Sequence, residues 1–303
     1  VYRQHFGLRE QPFSLTPDTE FYFNHKSHRE VLGTILLALR HAEGFVKVVG
    51  EVGTGKTLLS RKLLDALDAQ YLTAYIPNPY LTPEELKWFL AEEIGVATDD
   101  KPAHKLLADI NQRLIELATA KRQVVLIVDE AQAMPRETLE SLRLLTNLET
   151  RKRKLLQVVL LGQPELDEML ERADLRQLKQ RIVFAEYLHA IPSANVAAYV
   201  DSRLAVAGYT GAPLFTRAAL RLLAKATGGV PRLLNVISHK ALMATYGEGA
   251  RQVTRTHMAR AVLDTSESRA AGRRAARHIW LWIALGGVAA LLVASAIFWG
   301  LRL

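Results

Sequence analysis

Five short apolar runs, rich in β-branched residues, punctuate the first 190 positions: GFVKVVG (44–50), YLTAYIP (71–77), QVVLIV (123–128), LLQVVLLG (155–162) and VFAEYL (183–188). Most are continuous rather than alternating, the pattern of strands buried on both faces of a parallel sheet. Between them LLSRKLLDAL (58–67) and TPEELKWFLAEEIG (82–95) carry the 3.6-residue period of helices packed on such a sheet. Beyond 190 the pattern changes to helices alone: SANVAAYVDSRLAVAG, FTRAALRLLAKATG, PRLLNVISHKALMATYG and TRTHMARAVLD. The order predicts an α/β core over 1–190 and an α-helical lid over 191–264.

The last stretch follows neither rule. Residues 279–299 run 21 positions without a charge, with Trp280, Trp282 and Trp299 at the ends. At about 1.5 Å per residue such a helix crosses a hydrocarbon core of roughly 30 Å, and tryptophans favour the headgroup level. A single transmembrane helix is therefore expected over 279–301, preceded by a basic juxtamembrane linker over 265–278. Arg269, Arg273, Arg274 and Arg277 precede it and only Arg302 follows. Under the positive-inside rule that asymmetry places everything upstream on the cytoplasmic side of a single-pass anchor.

Charge adds one fact to this map. The net +8 of the 303 residues is not spread evenly: residues 202–263 hold nine basic side chains against one acid, Glu248. Arg203, Arg217, Arg221, Lys225, Lys240, Arg251, Arg255 and Arg260 give the lid this character. Two partners would suit it, a phosphate backbone or an anionic membrane leaflet. The hydrophobic tail favours the leaflet, and no aromatic stacking stripe or DNA-reading helix supports nucleic acid. There is no cysteine, which excludes a disulfide scaffold and any thiolate zinc site.

The chemistry sits where strands end. GFVKVVG leads directly into Gly50-Glu51-Val52-Gly53-Thr54-Gly55-Lys56-Thr57-Leu58, the G-x-x-x-x-G-K-T pattern in its strand–loop–helix setting. Glycines let successive backbone N–H groups wrap a phosphate, Lys56 neutralises the β/γ oxygens, and the Thr57 hydroxyl ligates Mg²⁺. QVVLIV ends in Asp129-Glu130. In a nucleoside triphosphatase with this loop, the first acid orients Mg²⁺ and the second polarises the attacking water. ATP and Mg²⁺ are the implied ligands. LLQVVLLG ends at Gln163, which either aims at the γ-phosphate from a central strand or is an ordinary turn residue before Pro164. Pro12, Pro17, Phe13, Phe21, Tyr22 and Phe23 are expected to seal the nucleotide pocket. His28 either packs near the adenine or caps a helix.

With these residues in view the sequence resembles the AAA+ ATPases of bacterial envelope machinery, the MSHA pilus biogenesis and general secretion pathway protein A family. The matching features are Tyr2, His5-Phe6-Gly7-Leu8, Pro12-Phe13-Ser14-Leu15-Thr16-Pro17, His28-Arg29-Glu30, GEVGTGKTLL, VDEAQ and GQPEL. The resemblance implies an ATP hydrolase that drives assembly of a pilus or secretion complex as a homo-oligomer. It also suggests roles for three arginines. Arg181, with Arg176 in reserve, would reach a neighbouring subunit's γ-phosphate, unless that helix face is merely solvated. Arg232, in GGVPRLLN, would point from the lid to the phosphates. Secretion-type relatives continue past the membrane segment into a wall-binding region, whereas four residues follow it here; on that ground the pilus type is expected. A DNA-associated ATPase of the transposition or replication-initiation class, and a nucleotide-dependent scaffold, are the competing readings.

Overall fold

The protein was analysed as a computed structural model that describes residues 2–98, 102–149 and 154–265. The transmembrane helix expected over 279–301 and all but Thr265 of the linker lie outside the described residues. Among the described residues no helix is long and apolar enough to cross a membrane. The described residues divide into two compact units, one formed by Thr16–Ala190 and the other by residues 2–15 together with 191–265.

After a one-turn helix α1 (Arg3–Phe6), which belongs to the second unit, helices and strands alternate. They run α2 (Lys26–Arg40), β1 (Phe45–Gly50), α3 (Lys56–Ala66), β2 (Tyr71–Ile76), α4 (Pro83–Glu93), α5 (Ala103–Thr119), β3 (Gln123–Val128), α6 (Arg136–Leu145), β4 (Leu156–Gly162), α7 (Pro164–Leu170), α8 (Arg176–Lys179) and β5 (Ile182–Leu188). The sheet order is β2-β3-β4-β1-β5, and every pairing is parallel. All five expected strands are present, and β4 lies between β1 and β3 as the reading of Gln163 required.

The two-residue period of each strand explains the layers. Phe45, Val49, Leu126 and Leu160 face one side, where Leu86 and Leu90 of α4 and Ile110 and Leu114 of α5 cover them. Val46, Val48, Ile127 and Leu161 face the other, against Ile35 and Leu39 of α2 and Leu59 and Leu63 of α3. Each such leucine, fully buried, contributes roughly 1.5–3 kcal/mol relative to exposure. Helix α4 starts on a reciprocal cap: Thr82 Oγ1 accepts from Glu85 N at 3.2 Å while Glu85 Oε2 accepts from Thr82 N at 2.7 Å, and Pro83 fills the first turn. Because the strands are parallel, Gly50, Asp129 and Gln163 all emerge at one edge of the sheet.

The second unit contains α9 (Val196–Val206), α10 (Arg217–Thr227), α11 (Pro231–Gly247) and α12 (Arg255–Leu263). A parallel bridge joins Phe215 to Val253. Its tightest point is Gly229, at φ +80°, where an added Cβ would fall 1.8 Å from the Ile191 carbonyl oxygen. The Ile191 N–H donates to the Gly229 carbonyl at 2.9 Å, so this close approach is hydrogen-bonded in place.

Residues 2–15 also pack here, which corrects the expectation that 1–190 form one core. The Tyr2 hydroxyl meets His239 Nδ1 at 2.9 Å, His5 Nε2 meets the Ala250 carbonyl at 2.8 Å, and the Phe13 ring stands edge-on to Phe215. Arg203 is 5% exposed and donates to the carbonyls of Pro12 and Ser14, the latter at 3.1 Å. A buried guanidinium must have acceptors, and this segment supplies them. Pro12 and Phe13 are thus part of the helical unit, and Arg203 is an internal clasp rather than a surface cation.

Candidate nucleotide site

Strand β1 ends at Gly50 because nothing larger fits. A Cβ there would meet Thr54 Oγ1 at 2.7 Å and the Leu188 carbonyl oxygen at 2.9 Å. Gly53 and Gly55 adopt φ +80° and +103°, the left-handed region that only glycine enters without strain. The loop is braced from within by Thr54 Oγ1 donating to the Glu51 carbonyl at 2.8 Å. It is braced from outside by His28, whose Nε2 donates to the Thr54 carbonyl at 3.2 Å. Burial pushes the His28 pKa down, so the imidazole acts as a neutral strut for the loop.

Lys56, the first residue of α3, is 4% exposed. Its Nζ donates to the Gly50 carbonyl at 2.8 Å and to that of Glu51 at 3.2 Å. Burial lowers its pKa, while the carboxylates of Glu130, Asp129, Glu51 and Glu165 act in the opposite sense. Asp129 is 2% exposed and takes hydrogen bonds from the Glu130 N–H (2.9 Å) and the Tyr75 hydroxyl (3.3 Å). Burial holds its carboxyl above the usual range, opposed by a hydrogen bond with the Thr57 side chain. Lys56, Thr57, Asp129 and Glu130 are therefore close neighbours in the structure.

Glu130 has a left-handed backbone, φ +50°, a conformation that costs a non-glycine residue about 1–3 kcal/mol and is retained where the surroundings impose it. Here two amides do so. Gln163 Nε2 and Gln132 Nε2 both donate to Glu130 Oε2, at 2.8 and 2.7 Å, and Gln132 Oε1 accepts from the Gln163 N–H at 2.9 Å. Burial raises the Glu130 pKa, but these donors and the Lys56 charge outweigh it, leaving the carboxyl below its ordinary value. Gln163 thus contacts Glu130 while it also precedes the first turn of α7. Gln132 was not singled out from the sequence; its position in a 3₁₀ turn (Ala131–Ala133), two residues past Glu130, is the signal that would have found it.

Of the remaining residues, some lie on the loop itself and the others on separate elements. Glu51 and Val52 are exposed on the loop, and Leu58 is half-buried in the first turn of α3. Arg181 precedes β5, whose first residue pairs with Phe45 while its last pairs with Gly50. At about 3.3 Å per residue that is roughly 20 Å from the loop, too far to serve its own chain's site. Its Nη1 donates to the Arg143 carbonyl (3.3 Å) and Thr146 Oγ1 (3.4 Å) near the end of α6. Arg176 is exposed on α8, and Arg232 is exposed in the first turn of α11.

Among the described residues no group of three or more His, Cys, Asp or Glu side chains could hold a metal alone. Mg²⁺ nevertheless fits. It keeps waters and substrate phosphates as ligands and needs only a protein oxygen or two, which Thr57 and Asp129 provide at adjoining positions.

A parallel sheet in this order, with a phosphate loop after β1 and an acid pair after β3, defines a P-loop nucleoside triphosphatase of the AAA class. The AAA domain family matches residues 39–170. The chain is 43% identical to General secretion pathway protein A of Aeromonas hydrophila over 305 residues, covering 99% of this chain. It is an AAA-domain protein homologous to that protein, and it spans about half, 54%, of that protein's length. Solved structures share the fold at low identity. The Drosophila ORC structure with DNA has a TM-score of 0.63 at 18% identity, covering 84% of this chain and 64% of that one. The Pyrobaculum aerophilum CDC6P structure gives 0.61 at 16% identity, covering 80% and 67%.

Proposed function

We propose that the protein hydrolyses ATP and uses the cycle to drive assembly of a bacterial envelope machine. The observation that carries this reading is the buried Lys56 facing a carboxylate pair, Asp129 and Glu130, whose second member is held by two amides. Lys56 and the loop amides bind the β- and γ-phosphates. Thr57 and Asp129 hold Mg²⁺, which when bound neutralises charge on the phosphoryl oxygens. Glu130, kept ionised by its donors and by Lys56, accepts a proton from the attacking water as Gln163 orients it. Arg181, with Arg176 as second choice, acts on the site of a neighbouring subunit, which makes the working form a homo-oligomer. Arg232 links the helical unit to the same phosphates.

The destination of the work is a secretion or pilus complex at the inner membrane, with the catalytic body cytoplasmic and residues 279–301 as the anchor. Homology to a general secretion pathway protein supports the secretion arm; the pilus arm rests on sequence resemblance. The test is turnover and nucleotide binding measured together. Lys56→Ala is expected to lose both, and Glu130→Gln to bind ATP but slow release of phosphate by about 10²–10⁴-fold. Turnover unchanged in Glu130→Gln removes that residue from the mechanism. Mixing Arg181→Ala with Glu130→Gln subunits is expected to restore partial hydrolysis, and no rescue there or with Arg176→Ala rules out the shared site.

A further inference from the structure

Three of the nine cations between 202 and 263 share one groove of the helical unit. A groove of about 510 Å³ is lined by Val196 and Ala197 of α9, by Leu220 and Ala224 of α10, and by Arg217, Arg221 and Lys225. The three cations stand at i, i+4 and i+8 of α10, so they form one stripe spaced about 6 Å apart. All three are exposed, and among the described residues none has a carboxylate partner. No acid lines the groove. Ser193, just before α9, borders it too, so the amino-terminal turn of α9 adjoins it and adds its positive dipole end, while the groove follows α10 from Arg217 to Lys225. Arg217 occupies the first position of α10, where a cation opposes the helix dipole and weakens the helix that carries it.

We propose that this groove docks an acidic amphipathic helix of a partner protein. The two linings demand the two faces of such a helix. Its aliphatic side chains, recurring at i, i+3/i+4 and i+7, cover the half-buried Ala197 and Leu220, which lie over the buried Val196 and Ala224, while carboxylates on its flank pair with Arg217, Arg221 and Lys225. A nucleic acid strand supplies the anions but no aliphatic face, so it leaves the floor uncovered. The inference is independent of ATP hydrolysis, because none of these residues belongs to the nucleotide site.

The test uses purified full-length protein and a fluorescein-labelled synthetic helical peptide with leucines along one face and four glutamates beside them, read by anisotropy. Three controls accompany it: the same peptide with glutamines for glutamates, the same with alanines for leucines, and a duplex DNA oligonucleotide. The leucine–glutamate peptide is expected to bind in a salt-sensitive manner, and to weaken at least tenfold with either control substitution. Arg221→Glu and Lys225→Glu, surface changes that leave the fold intact, are each expected to weaken it at least tenfold, with ATP turnover unchanged. Equal affinity of the variants, equal binding by the alanine peptide, or binding of DNA without the peptide overturns the proposal.

Discussion

In the unit Thr16–Ala190 the decisive charges are hidden: Lys56 and Asp129 are 4% and 2% exposed, and each leans on neighbours for its ionisation state. In the helical unit Arg217, Arg221 and Lys225 face solvent, whereas Arg203 is deeply buried and holds the N-terminal segment. The same residue types therefore do opposite things. A charge taken out of water must be paired or have its pKa moved, which tunes it for chemistry. A charge left in water keeps its ordinary ionisation and acts at a distance on whatever approaches.

If that contrast is right, damage to each unit should read out differently. The largest effect is expected at Gly229. An alanine there meets the Ile191 carbonyl at 1.8 Å in a left-handed conformation, so Gly229→Ala should destabilise the helical unit by about 3 kcal/mol. A thermal melt that separates the two units measures this, and an unchanged profile would show that the close approach is not needed. Next comes Arg203→Met, which keeps the side-chain volume but orphans the Pro12 and Ser14 carbonyls. About 2 kcal/mol should be lost, with proteolysis releasing the first fifteen residues sooner than in the unmodified chain.

Asp129→Asn sharpens the comparison by pH. Burial holds the folded Asp129 carboxyl above its unfolded pKa. Its contribution to stability is therefore full below the unfolded pKa and is lost as pH rises through the folded one. Without nucleotide or metal, the asparagine variant should melt higher than the parent at pH 7, with the advantage fading on acidification, although it hydrolyses no ATP. Equal melting temperatures at all pH values would contradict the desolvation argument. The smallest effect is expected from Arg217→Glu, which replaces an opposed charge by a favoured one at the start of α10 and should raise stability by about 0.3–1 kcal/mol while losing the groove's ligand.

The site was legible in the sequence to the extent that it is local. The phosphate loop is a contiguous stretch whose glycines, lysine and threonine can be read in order, and Asp129-Glu130 end an apolar run that reads as a strand. Gln132 escaped because its role depends on Gln163, more than thirty positions away, which the 3₁₀ turn and the end of β4 bring within hydrogen-bond reach. The N-terminal segment escaped for a similar reason. Nothing in Pro12-Phe13-Ser14 announces that Arg203 and Phe215, some two hundred residues on, will claim it.

Periodicity and the main-chain demands of binding a phosphate determined, from the residues alone, five strands, the helices that follow and the loop between them, because those features depend on neighbours two to four positions away. Only the tertiary structure decided that Arg203 is internal, that Glu130 is held by a pair of amides, that Arg181 stands at the far edge of its own sheet and that three arginine and lysine side chains of α10 share a groove with aliphatic residues. Each of these depends on burial and on partners distant in the chain, and it is burial that turns an ordinary charged residue into a structural clasp, a tuned acid or a free surface cation.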